Sequence, residues 1–164
     1  IHTHCFKDME SMKMAGTCPF CRAPRPSSHE EVVAQTRPHV KKKKAWALVV
    51  MGQAYRLGEG VKQSYEMTKR LFEQAAQQGY ATAMSNLAFM YCHGEGVEQS
   101  YEKAFEYYEQ AADLGNAEAQ YILGAMYFNG DGVERDIAKA REWWTKAAAQ
   151  GEKNAIKNLK LINS

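Results

Sequence analysis

The sequence predicts an all-α solenoid of helix-turn-helix repeats, with a small cysteine-bearing segment at its N-terminal end. Three observations predict it. Segments starting at Tyr55, Tyr91 and Tyr127 recur with a period of 36 residues. They share the tyrosine, the pairs Gly58/Gly60, Gly94/Gly96 and Gly130/Gly132, and the valines Val61, Val97 and Val133. Agreement at a fixed period marks a repeat architecture, in which each unit buries its apolar face against the next. Within a unit the apolar residues fall at helical spacing: Ala83, Leu87 and Tyr91 on a first helix (A), then Ala104, Tyr108 and Ala111-Ala112 on a second (B). Glycine supplies the punctuation, since Gly-x-Gly-Val ends each A helix and Gly79, Gly115 and Gly151 end the B helices.

A chain of 164 residues has room for one domain with a core and a small appendage. Its 21 basic and 19 acidic residues leave a net charge of +2, which gives no general case for nucleic acid as a partner. No apolar run approaches the ~20 residues that cross a bilayer. "IHTHCFKDME" lacks the apolar core of a secretory signal. Four cysteines, two of them at C-x-x-C spacing, suit a reducing compartment and metal ligation better than a disulfide framework. The expected location is intracellular, cytoplasmic or nuclear. The chain opens on Ile1 rather than Met, so upstream sequence is expected.

The first element is residues 1–24. Cys18 and Cys21 in "TCPFCRAP" read as half of a structural zinc site, which takes four ligands in a tetrahedron. His2, His4 and Cys5 offer one completion, as H-x-x-C with C-x-x-C; the bland reading is a solvated terminus and a free thiol pair. "CPFCRAP" resembles the last ligand pair of a RING-type zinc finger. That resemblance implies that residues 1–24 are a truncated finger whose other ligands precede Ile1. It also implies weak or absent zinc binding by this chain, and recruitment of a ubiquitin-conjugating enzyme by the complete finger.

Residues 25–44 read as a linker, rich in Pro and Ser at its start. "EVVAQTRPHVKKKK" occupies the register of a preceding B helix, but Pro38 in its interior predicts a frayed or short one. Lys41 to Lys44 read as a nuclear import signal, a patch for acidic partners, or a solvated helix end. Three repeats then occupy residues 45–80, 81–116 and 117–151. Ser64, Ser100 and Asp136 are placed to cap the B helices. Gly52, Ala88 and Gly124 share a register and keep a small side chain where helices approach closely. Residues 152–164 repeat the A-helix phase with Ala155, Leu159 and Ile162, and carry Lys153, Lys157 and Lys160 between them. A helix with one polar face is expected to cap the C-terminal end of a solenoid.

The pattern L/A-G/A-x-x-Y-x-x-G-x-G-V, followed by an aromatic residue and A-A-x-x-G, is similar to the Sel-1-like repeat, a relative of the tetratricopeptide repeat. The resemblance implies a right-handed α-solenoid that works as a protein-interaction scaffold, with a protein or peptide in its concave groove. The first copy departs from the pattern: Met67 and Thr68 stand where the family prefers Lys-Ala, and Leu71 where it prefers an aromatic, so looser packing is expected there. The Gly-x-Gly follows a helix rather than a strand and lacks a third glycine, which fits a turn and not a phosphate cradle.

In tetratricopeptide-like units one A-helix phase faces the concave side. Here it carries Trp46, Val49, Gln53 and Arg56, then Thr82, Ser85, Phe89 and Cys92, then Glu118, Tyr121, Ala125 and Phe128. Framework positions must match between copies whereas a binding face is free to differ, and these differ. Phe89, Tyr121 and Phe128 are the expected anchors. No Ser-His-Asp set, carboxylate pair or P-loop is present, and His29, His39 and His93 are scattered, so no catalytic residue is assigned. Two functions remain: an adaptor acting alone with a structural zinc knuckle, or the substrate-binding part of a RING-type ubiquitin ligase.

Overall fold

The computed structural model describes residues 28–162, and among them the fold is all-helical. Its helices are α1 (His29–Lys41), α2 (Ala45–Leu57), α3 (Tyr65–Ala76), α4 (Ala81–His93), α5 (Tyr101–Asp113), α6 (Ala117–Asn129), α7 (Ile137–Ala149) and α8 (Lys153–Ile162). Each packs on its neighbours in sequence, so the chain winds as a solenoid of A–B pairs, α2–α3, α4–α5 and α6–α7.

The local signals act where the sequence places them. Gly58, Gly94 and Gly130 close the A helices at φ of 75°, 67° and 86°, the left-handed region that a side chain disfavours. Each B helix starts on a side-chain cap. Ser64 accepts from the Met67 N–H at 3.2 Å, Ser100 from Lys103 at 3.2 Å and Asp136 from Lys139 at 3.0 Å. Such a cap satisfies one open donor of the first turn and contributes ~1 kcal/mol.

Within each pair the helices meet on the small-residue register. The ring of Phe72 lies on Gly52 and that of Trp144 on Gly124; a methyl group at Gly124 would stand 2.5 Å from the indole. Thr68 Oγ1 donates to the Gly52 carbonyl at 3.2 Å, and Trp144 Nε1 to the Tyr121 carbonyl at 3.0 Å. The interior forms two adjoining clusters, one around Leu48, Phe72 and Leu87, the other around Tyr108, Leu123 and Trp144. Tyr107 packs against both, so the apolar core continues across the repeat boundary.

Within the segment read as a linker with a frayed helix, described from Ser28 on, the structure differs: α1 runs for 13 residues straight through Pro38. The proline falls in the last turn, where its missing N–H removes only the one bond to the Ala34 carbonyl, and Ala34 is exposed to water. Burial of Val33 and Thr36, and a Ser28 cap that accepts from the Glu31 N–H at 3.3 Å, hold the remainder. Ser28 shares the register of Ser64, Ser100 and Asp136, so α1 takes the place of a B helix. It is stopped by Lys43 at φ 52°, in the register that Gly79, Gly115 and Gly151 fill elsewhere. At the other end α8 buries Ala155 completely and lays Leu159 and Ile162 on the second cluster. Exposed Lys160 stands in the register of Gly52, Ala88 and Gly124, so the close A–B approach of the other pairs is closed to α8.

Candidate partner-binding surface

Successive A helices are joined by side chains. Gln53 Nε2 donates to Asn86 Oδ1 at 2.8 Å, bridging α2 to α4. Arg56 donates through Nε to Gln53 Oε1 at 2.9 Å and through Nη1 to Glu95 at 3.4 Å. Its guanidinium lies 5.0 Å above the Phe89 ring, which also stacks on His93 with centroids 4.0 Å apart. A planar, weakly hydrated guanidinium suits both the carboxylate and the ring face.

The next junction is built differently. Cys92 and Asp131 take the registers of Arg56 and Glu95. Burial, and then the negative charge of Asp131, push the Cys92 thiol above its usual range, so it stays a neutral thiol. Phe128 follows in the same register of α6. Its ring packs on Trp144 with centroids 5.5 Å apart, and the Arg135 guanidinium lies 5.7 Å above it. Ala125 and Phe128 line a cavity of about 320 Å³ that Leu161 and Ile162 of α8 help to close.

Of the residues expected to face a partner, Glu118 is exposed, and Trp46, Gln53, Arg56, Phe89, Tyr121 and Phe128 are partly buried. Thr82, Cys92 and Ala125 are partly buried as well, so the three aromatic anchors keep accessible surface. Ser85 leaves the set, because only 7% of it is exposed. Val49 shares that register and is buried too, whereas Tyr121 emerges. The register lies at the seam between A helices, and a side chain must be long to reach out of it. Trp46 sits apart, near the end of α1, with its ring 5.0 Å from that of His39.

Asn86, His93, Glu95 and Arg135 join this surface without having been singled out in the sequence. For Glu95 a signal existed, since every Gly-x-Gly encloses an acid: Glu59, Glu95 or Asp131. For Arg135 it was a donor in each copy, as Gln63, Gln99 and Arg135 all bond the carbonyl of the A-helix residue seven positions earlier. Asn86 and His93 match nothing in the other copies and carry no such signal.

Cys18 and Cys21, like His2, His4 and Cys5, lie outside the described residues. Among the described residues no cluster of His, Cys, Asp or Glu could hold a metal ion, and no helix is long and apolar enough to cross a membrane.

The Sel1 repeat family model matches residues 47–80, 81–116 and 117–152. A Sel1 repeat protein from Oxalobacter formigenes is 34% identical, with 79% of this chain and 97% of that one covered at a TM-score of 0.72. The structure of c5321, a protective antigen of uropathogenic Escherichia coli with an SLR fold, is 30% identical over 82% of this chain at a TM-score of 0.75. The match spans only 29% of the Escherichia coli protein. Helicobacter pylori cysteine rich protein B is similar in fold, at 18% identity, 81% and 98% coverage and a TM-score of 0.66. No curated protein matches the chain.

Proposed function

The chain belongs to the Sel1 repeat family, and from that premise we propose that it is a protein-protein interaction scaffold. The partner is a protein or peptide lying along the A helices, in the concave groove of a right-handed solenoid. One observation carries the reading: in a register where the framework would repeat, the copies hold Arg56, Cys92 and Phe128, and the aromatic rings on this side remain partly accessible. Half-buried aromatics backed by a guanidinium are rigid and apolar with a polar rim, the makeup of interface anchors. Alanine in place of Phe89, Tyr121 or Phe128 should each weaken a captured partner by about tenfold, ~1–2 kcal/mol. Isothermal titration with that partner measures this; unchanged affinity in all three variants would refute the reading.

A second reading rests on Cys18-Pro-Phe-Cys21. We propose that these thiolates are one ligand pair of a RING-type finger, that the complete finger recruits a ubiquitin-conjugating enzyme, and that the repeats hold the substrate. Zinc would then bind this chain weakly, and an upstream-extended protein would hold two ions and transfer ubiquitin. Tight one-to-one zinc binding that is lost in His2→Ala or Cys5→Ala would instead make the knuckle self-contained and the protein an adaptor without ligase activity.

A further inference from the structure

The first repeat differs from the others on the side away from the anchors just described. Tyr55, Tyr91 and Tyr127 share a register near the end of their A helices. In the second copy the Tyr107 ring stacks on Tyr91 with centroids 5.7 Å apart, and Lys103 reaches over it at 5.5 Å. In the third copy Lys139 lies 5.1 Å over Tyr127, and Trp143 takes the register of Tyr107. The first copy has Leu71 and Met67 in those two registers, both smaller or less reaching. The result is an open cavity of about 400 Å³ between α1, α2 and α3, floored by Val40, Met51, Tyr55, Met67 and Leu71.

Its rim is basic. Arg37 and Lys41 of α1 line the cavity, and exposed Lys42, Lys43 and Lys44 continue the charge. Lys43 is the one non-glycine residue with positive φ among the described residues, held where the three later copies use glycine. Lys43 therefore adds a positive charge at a turn where the later copies carry none. Ala34 and Pro38 complete the lining.

We infer that this cavity is a second binding site, independent of the A-helix surface, and that it takes one large apolar side chain carried on an acidic peptide segment. The apolar floor accepts the side chain and the lysine rim its flanking Asp and Glu residues. The charge match fixes orientation and speeds encounter, and it weakens with salt.

The test is selection of random dodecapeptides on the full chain, followed by polarisation binding of the winning peptide in labelled form. The winners should carry Leu, Phe or Met beside acidic residues and bind more weakly as salt rises. Met67→Lys with Leu71→Tyr installs the pair that the second copy already packs, and should lower affinity at least tenfold. Phe89→Ala should leave it unchanged. Methyl resonances of Met51 and Met67 should shift on peptide addition, which reads the site without any substitution. Winners that lack acid residues, or full affinity in the Met67→Lys/Leu71→Tyr chain, would overturn the inference. So would methyl shifts produced by dodecanoate and not by peptide, which would make the site one for small amphipathic carboxylates.

Discussion

At Gly124 the backbone of α6 touches the Trp144 indole, and the indole cannot yield because its Nε1 is bonded to the Tyr121 carbonyl. Gly124→Ala should therefore cost ~1–3 kcal/mol, the usual range for overpacking a filled core. The second copy solves the same register with Ala88 and Tyr108, both in the core cluster. Adding Trp144→Tyr should then recover part of the loss in urea unfolding. Equal stability of Gly124→Ala and the parent would show that the helices do not meet there. Cys92 gives a chemical check. Its thiol is raised by burial first and by Asp131 second, so less thiolate is present at any given pH than on a free cysteine. In a chain with Cys5, Cys18 and Cys21 changed to Ser, alkylation by iodoacetamide should be slow at pH 8 and accelerate only at higher pH. Asp131→Asn should shift that rise downward. A rate equal to that of free cysteine would contradict the partly buried placement beside Asp131.

Helix by helix, the signals that recur at the repeat period were legible in the sequence. The A-helix stops, the B-helix caps and the close-approach glycines come from residue types whose local physics hardly depends on context. Helix α1 was misread because one local rule, proline as breaker, was weighed without the tertiary burial of Val33 and Thr36 that opposes it. Ser28, in register with Ser64, was the available correction. The Gln53–Asn86 and Arg56–Glu95 bridges were not legible, because they join side chains 33 and 39 residues apart that no periodicity pairs. The stop of α1 yields a prediction at this scale. Lys43→Gly keeps the left-handed turn and removes the steric cost it carries for an L-residue, about 1 kcal/mol or more, partly offset by the greater freedom of glycine in the unfolded chain. The variant should be as stable as the parent or more so in urea, while its hold on an acidic peptide weakens. Marked destabilisation would mean that the Lys43 side chain itself holds the end of α1.

Across the described residues each helix packs mainly on its neighbours in sequence, so stability is shared out locally and surfaces can vary from copy to copy without disturbing the frame. The A-helix side changes from a cation–carboxylate pair at Arg56 to a neutral thiol at Cys92 and an aromatic ring at Phe128. That change along one ridge is what a scaffold reading a particular partner requires, and it is the central claim made for this protein. A photo-crosslinking residue placed at Tyr121 on α6, and separately at exposed Glu109 on α5, tests it most directly in cell extract. The account predicts one discrete adduct from position 121 that disappears when Phe128→Ala is added, and none from position 109. The same adduct from position 109 with none from 121 would contradict it.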